Sequence, residues 1–324
     1  SGPVTSLPFC LLGLPFITSY NIISSIFRGL GDSKSPMCFI ATACAANIAL
    51  DYLFMGVLHL GPAGAALGTT LSQAISVVVS LTVILKRRSI VLKKSDFKPC
   101  RAVMGKILGI GIPIAFQDGL IQVAFIIITI IANQRGLNDA AAVEIVEKVI
   151  SFLFWGPSAM LATVSALGAQ NIGAGKPERA IQTLRYAVML AAGFGVLASI
   201  AIQFTAEGIV SLFTDPSTAD GAAVVRFGGQ YLRGYIFDCI FAGIHFSFSG
   251  FFCACRKSGL SFLHNILAIV LMRVPGVYVT SKLFPATLLP MGLATAAGSL
   301  LSVMICLIAF GVIRRKSTLV LVEE

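Results

Sequence analysis

Nine apolar runs, each about 20 residues or longer, fill this chain: roughly 7–27, 36–58, 63–85, 107–132, 142–166, 180–205, 228–252, 259–281 and 288–313. Wound as a helix, such a run rises about 30 Å, the thickness of a bilayer's hydrocarbon core. Within that core a spanning segment must satisfy every backbone N–H and C=O internally. Continuous apolar runs, rather than alternating ones, identify the solution as helices. Composition agrees: 56% of residues are hydrophobic and 12% charged, with mean hydropathy +0.91, against about a quarter charged in soluble domains. The expected fold class is an all-α polytopic membrane protein with nine visible transmembrane helices.

The loops set the expected orientation. Arg28 and Lys34 follow the first run; Lys86, Arg87, Arg88, Lys93, Lys94, Lys98, Arg101 and Lys106 follow the third. Lys176, Arg179 and Arg185 follow the fifth, Arg256 and Lys257 the seventh, and Arg314, Arg315 and Lys316 the ninth. These are 18 of the 24 cations, whereas the alternate loops hold only Arg135, Arg226 and Lys282. Cytoplasmic loops are enriched in Lys and Arg, so odd-numbered runs are expected to end inside, with a cytoplasmic C-terminus. Spread over short loops, the net charge of +10 makes no stripe for nucleic acid. The eight cysteines include one CxC (Cys253, Cys255) and no CxxC, so they read as reduced thiols and no metal site is expected.

The segment YNIISSIFRGLGDSKSPMCFIATACAANIALDY is echoed in HFSFSGFFCACRKSGLSFLHNILAIVLMRVPGVY. Tyr20 falls against His245, Phe27 against Phe252, and Lys34-Ser35 against Lys257-Ser258; GPAGAALGTTLSQ (61–73) then matches LPMGLATAAGSLL (289–301). Runs one to three thus parallel runs seven to nine, six helices later and in the same orientation, as in two-lobed secondary transporters. The expected organisation has 1–85 as the C-terminal half of a first lobe and 86–106 as a basic cytoplasmic inter-lobe loop. A second six-helix lobe occupies 107–313, and 314–324 is a cytoplasmic tail. Completing the first lobe takes roughly three further helices, on the order of 110 residues, ahead of Ser1, an expected twelve in all.

The motifs RGLGDSKSP (28–36), NIALDYLF (47–54), GPAGAALGTTLSQ (61–73) and GAQNIGAGKPERA (168–180), with AAVEIVEKVISFLFWGPSA (141–159), resemble the multidrug and toxic compound extrusion (MATE) transporters of bacterial type. The likeness runs from the family's fourth helix to its twelfth. It implies two six-helix bundles around a central cavity, and export of cationic or amphipathic compounds driven by inward H⁺ or Na⁺. The family places Asn, Asp and Thr at positions matching those below, beside an Asp on a first helix that this sequence does not contain.

Ionisable groups at bilayer depth cost at least about 2.5 kcal/mol each on insertion scales, so each needs a reason. Asn47 and Asp51 lie four apart on one face of the second run. With a hydroxyl from Thr69 or Thr70, and with Asn21 and Ser24 of the first run behind them, they form a candidate cation or proton coupling site. Oxygen ligands of these kinds suit a hard cation; a helix–helix hydrogen bond is the plainer alternative. In the second lobe Asp118, Gln122, Glu147, Asp238 and His245 are candidates to line a substrate cavity, with Arg233 or Arg273 neutralising an acid. Lys148 is placed to pair with Glu144. A structural ion-pair network is the competing reading. Glu207, Asp215 and Asp220 read as solvated loop acids, and His59 and His264 as turn residues. Neither FRGLGDSKSP nor GAGKP has the GxxxxGK[ST] spacing of a phosphate loop.

The reading is a secondary-active efflux antiporter working by alternating access. Its partners are small cationic or amphipathic substrates and the lipid bilayer, with no cofactor beyond the coupling H⁺ or Na⁺. It is expected as a monomer in the plasma membrane. Acids within the runs (Asp51, Asp118, Glu144, Glu147, Asp238) outnumber cations (Lys148, Arg233, Arg273), which favours cationic cargo over the second reading, a lipid-linked saccharide flippase of the same superfamily. A membrane-embedded enzyme is the remote third, because no His/Asp cluster or Ser/His pair is present.

Overall fold

The computed structural model describes residues 2–87 and 98–315, with side chains over 11–86 and 98–315. Arg88, Lys93, Lys94 and Lys316, and most of the tail 314–324, lie outside the described residues, as does the side chain of Arg87. The described chain is all-α, with α1 (Gly2–Gly29), α2 (Lys34–Asp51), α3 (Gly61–Arg87), α4 (Arg101–Asn133), α5 (Leu137–Leu153), α6 (Trp155–Gly173), α7 (Pro177–Ser211), α8 (Ala219–Tyr235), α9 (Phe237–Ala254), α10 (Ser258–Ala268), α11 (Val274–Leu283) and α12 (Leu289–Arg315). Two π-helical segments, Tyr52–Val57 and Ile269–Arg273, extend α2 and join α10 to α11. Since α5 runs into α6 and α8 into α9, these elements form nine rods, of which eight are long and apolar enough to cross a membrane among the described residues.

Burial is inverted relative to a protein in water. Leu197, Phe204 and Ile308 are exposed, while Ser76, Ser80, Ser247 and Ser249 are fully buried. That distribution suits a chain whose outer surface meets lipid and whose helices are glued by small polar residues. The contacts divide it into two compact units, 1–99 and 100–324.

In the first unit α3 packs on both α1 and α2. Phe27 and Phe39 meet edge to face at 5.5 Å between Ile23 and Ile84, and Ser76 donates to the Phe39 carbonyl across the α2–α3 seam at 3.2 Å. FRGLGDSKSP is the α1–α2 turn. Gly31 takes φ 86°, and Asp32 Oδ1 accepts from the Lys34 and Ser35 amides at 3.0 Å each, satisfying the first donors of α2. Asp32 therefore caps the start of α2. His59 (φ 51°) and Gly61 (φ 57°) turn the chain into α3.

In the second unit α9 is the innermost helix, packing on α6, α7, α10 and α12. One core joins Ile128, Val143, Tyr231, Tyr235 and Val277; another joins Val164, Leu184, Phe251, Phe252 and Cys306. Gly234 of α8 faces Gly292 of α12 so closely that a Cβ on either would strike the opposite backbone, the close approach typical of membrane helices. Pro275 explains the second π segment: its ring lacks an N–H and crowds the carbonyl four residues back, at Leu271, and the wider π turn relieves both. Glu207 departs from the sequence reading, because it lies on α7 rather than in a loop and pairs with Arg233 at 3.0 Å. Asp220 likewise sits in the first turn of α8 and accepts from Asn138 at 3.1 Å.

Candidate functional site

In the first unit, α2 carries Asn47 and Asp51 one turn apart into its packed side. The Asn47 Nδ2 and Asp51 Oδ1 atoms are buried and find no hydrogen-bond partner among the described residues. Asp51 Oδ1 lies against Gly68 of α3, where a Cβ would collide with it. A glycine there is what lets the carboxylate pass between the helices. Thr69, exposed, donates to the Ala65 carbonyl at 3.0 Å, which leaves its oxygen lone pairs free to accept. Thr70, half-buried, comes close to Gly13 of α1; both line a groove of about 350 Å³ with Ile17, Pro62, Ala65, Ala66 and Thr69. On α1, Ser24 is buried, and its hydroxyl, like that of Tyr20, has no hydrogen-bond partner among the described residues. Asn21 instead faces outward and donates to the Ile17 carbonyl at 3.0 Å.

The second unit gathers a polar cluster across five helices. Arg273, at the end of the π segment, has only 11% of its side chain exposed. Its Nη2 donates to Tyr235 Oη at 2.6 Å and reaches Asp238 Oδ2 at 3.5 Å. The guanidinium also rests 5.3 Å from the Phe125 ring and 5.7 Å from that of Tyr235, so aromatic faces share in stabilising its charge. Asp238 is fully buried, with Oδ1 lacking a hydrogen-bond partner among the described residues. Glu147, half-buried on α5, keeps Oε1 unpartnered within electrostatic reach of Arg273. A cavity of about 60 Å³ opens beside them, lined by His245, Asn265, Arg273, Ser299 and Ser302 together with Phe125, Phe154 and Phe246. His245 is 4% exposed with Nδ1 unpartnered, and its ring packs 5.6 Å from that of His264. His264 is not a turn residue: fully buried in α10, it is held by Ser249 at 2.9 Å and Ser302 at 2.5 Å.

The five candidates for this unit therefore separate. Glu147, Asp238 and His245 come together, whereas Asp118 and Gln122 are exposed on α4. The inward position of that helix is Gln117, which accepts from Ser261 at 2.8 Å. Glu144 and Lys148 pair on the surface at 3.0 Å, one turn apart. Tyr235 belongs to the cluster without having been singled out, as does His264, which the sequence places at a turn. The signal for His264 was its spacing on the 258–268 helix, whose polar residues Ser258, Ser261, His264 and Asn265 fall on one face.

The MatE family model matches residues 113–279, just over half of the chain. A probable multidrug resistance protein, YpnP, of Bacillus subtilis is 29% identical over 271 residues, covering 84% of this chain and 60% of that protein. A FAD transporter of Shewanella oneidensis is 26% identical over 290 residues, covering 84% and 62%. The chain thus spans about 60% of the length of these curated relatives. A crystal structure of a MATE protein in complex with MaL6 superposes with TM-score 0.88 at 20% identity, over 98% of this chain and 70% of that one. That likeness speaks to the fold.

Proposed function

We propose, from the premise that this chain belongs to the MatE family of multi-pass membrane transporters, that it works in a secondary-active efflux antiporter whose coupling cation binds at Asp51. The observation that carries this reading is the buried pair Asn47 and Asp51, one turn apart, with no partner among the described residues for Asn47 Nδ2 or Asp51 Oδ1. A carboxylate held at bilayer depth needs a counter-charge, and a proton or Na⁺ from outside supplies it. The Asn47 amide oxygen and the Thr69 and Thr70 hydroxyls are the neighbouring oxygen donors, the ligand type a hard cation prefers. Ser24 on α1 is a further buried hydroxyl of the same unit, and Asn21 faces outward.

The carrier operates as a monomer in the plasma membrane, with the basic loops and the C-terminus in the cytoplasm. It exchanges H⁺ or Na⁺ for a cationic or amphipathic compound, with Glu147, Asp238 and His245 facing the substrate side. Asp118 and Gln122, exposed on α4, offer a second polar face to it. Asp51→Asn in the full-length protein should abolish gradient-driven efflux of a cationic dye while leaving membrane insertion intact. Efflux at the wild-type rate would remove Asp51 from the mechanism. A second reading, anionic aromatic cargo, is favoured by the FAD transporter among the relatives. Everted vesicles offered a cationic and an anionic dye in parallel separate the two.

A further inference from the structure

The two units treat one structural position in opposite ways. In each, the helix before the last turns π-helical beside a charged residue, and that residue lies against a glycine of the unit's last helix: Asp51 against Gly68, Arg273 against Gly298. π segments mark places where a helix is distorted for a purpose. In the first unit the charge is a carboxylate with no cationic partner among the described residues. In the second it is a guanidinium, and it faces a carboxylate, Asp238, from the neighbouring helix.

We infer that Arg273 is a tethered counter-cation, filling at Asp238 the place that an exchangeable monovalent cation would otherwise take. Asp238 has no exposed surface, so in its ionised form the charge must be balanced within a few ångströms. Arg273 is the nearest cation and is itself fixed by three contacts: Tyr235 Oη at 2.6 Å and the faces of Phe125 and Tyr235. Gly298 is moulded to it, since a Cβ there would come within 2.9 Å of Arg273 Cβ. The pairing is nevertheless loose at 3.5 Å, and Asp238 Oδ1 remains unpartnered. This carboxylate is thus neutralised without being saturated. A cavity of about 60 Å³, room for a few waters, lies on the other side of Arg273, lined by the arginine itself and by Ser299. The other groups facing the cluster include Glu147 from α5, Tyr231 from α8, the His245 and His264 rings, and Ser299 from α12, whose hydroxyl lies near Asp238. This inference concerns cation occupancy at Asp238 and does not depend on the reading of Asp51.

Thermal unfolding of the purified chain in detergent tests it, followed by a thiol-reactive fluorophore that labels buried Cys239, Cys253 and Cys306 as they open. Melting is compared in NaCl and in choline chloride at equal ionic strength. In the wild type, D238N should leave any difference between the two salts unchanged. R273M should gain a rise of several degrees specific to NaCl, and R273M/D238N should lose that gain. An R273M chain that folds only in NaCl is the same result in stronger form. Loss of a wild-type Na⁺ response in D238N overturns the inference. So does an R273M chain that melts alike, or stays unfolded alike, in both salts.

Discussion

Arg135 Nε donates to Asp139 Oδ2 at 2.6 Å across the α4–α5 turn, and the same guanidinium clamps the α11–α12 connection by donating to the carbonyls of Ser281, Phe284, Pro285 and Thr287. Both partners of the ion pair are nearly buried, at 7% and 10% side-chain exposure. Removing one side of such a pair strands the other, at a cost of about 3–5 kcal/mol. Arg135→Met should therefore destabilise the chain by about that amount in detergent denaturation, and R135M/D139N by less than the two single changes combined. Strict additivity would show that the pair is not coupled.

Gly68→Ala places a methyl where Asp51 Oδ1 lies. The carboxylate must move or the helices must part, so gradient-driven dye efflux should fall about tenfold or more, equivalent to about 1.4 kcal/mol. Gly119→Ala, in open space on α4, should leave efflux unchanged. Equal rates in the two variants would show that the position of the carboxylate is unimportant.

Gly292→Ala drives a Cβ into the backbone around Tyr231 and Gly234. Overpacking of this kind costs about 1–3 kcal/mol, so the melting temperature should drop. Gly208→Ala, with nothing within 4 Å, should hold or slightly raise it, since alanine loses less backbone freedom on folding.

His264→Phe leaves the Ser249 and Ser302 hydroxyls buried without their partner. Each stranded group costs about 1–3 kcal/mol, whereas removing both sides of a hydrogen bond is close to neutral. The triple variant H264F/S249A/S302A should therefore recover most of the stability lost in H264F. A triple variant less stable than H264F would assign the histidine's role to packing.

Asp215, in the α7–α8 loop, accepts from the Ser217 amide and hydroxyl at 3.0 and 2.7 Å, which holds its carboxyl below the usual carboxylate range. With the folded value depressed, the contribution of this turn is fully present above the ordinary carboxylate pKa, and it is lost only as pH falls through the lower folded value. A carboxyl NMR titration should show Asp215 ionising below the exposed aspartates, and Ser217→Ala should move it upward. An unchanged titration would leave the shift without its hydroxyl donor.

The spans were legible because bilayer thickness forces about 20 apolar residues into each. The polar exceptions were legible because each is costly there. What stayed hidden is angular and long-range. Asp118 and Gln117 are neighbours in sequence, yet a helix separates them by about 100°, and the inward one is the glutamine. Asp238 and Arg273 are 35 residues apart, and only the packing of α9, α10 and α12 brings them together. The breaks at Phe154 and Ile236 fall inside runs that read as continuous.

The π segment Ile269–Arg273 has a consequence for phase. A π turn inserts one residue into the α-helical repeat, so everything beyond it is rotated by about 100° relative to α10. That single extra residue decides whether the guanidinium of Arg273 or the aliphatic chain of its neighbour Met272, now 42% exposed, meets Asp238. In a helix of this kind, the polarity of the buried site is set by register as much as by residue identity. Straightening the segment into a continuous α-helix with its sequence unchanged would exchange a fixed cation for a thioether, whereas deleting one residue of the π turn would restore the α repeat and keep Arg273 on the Asp238 side.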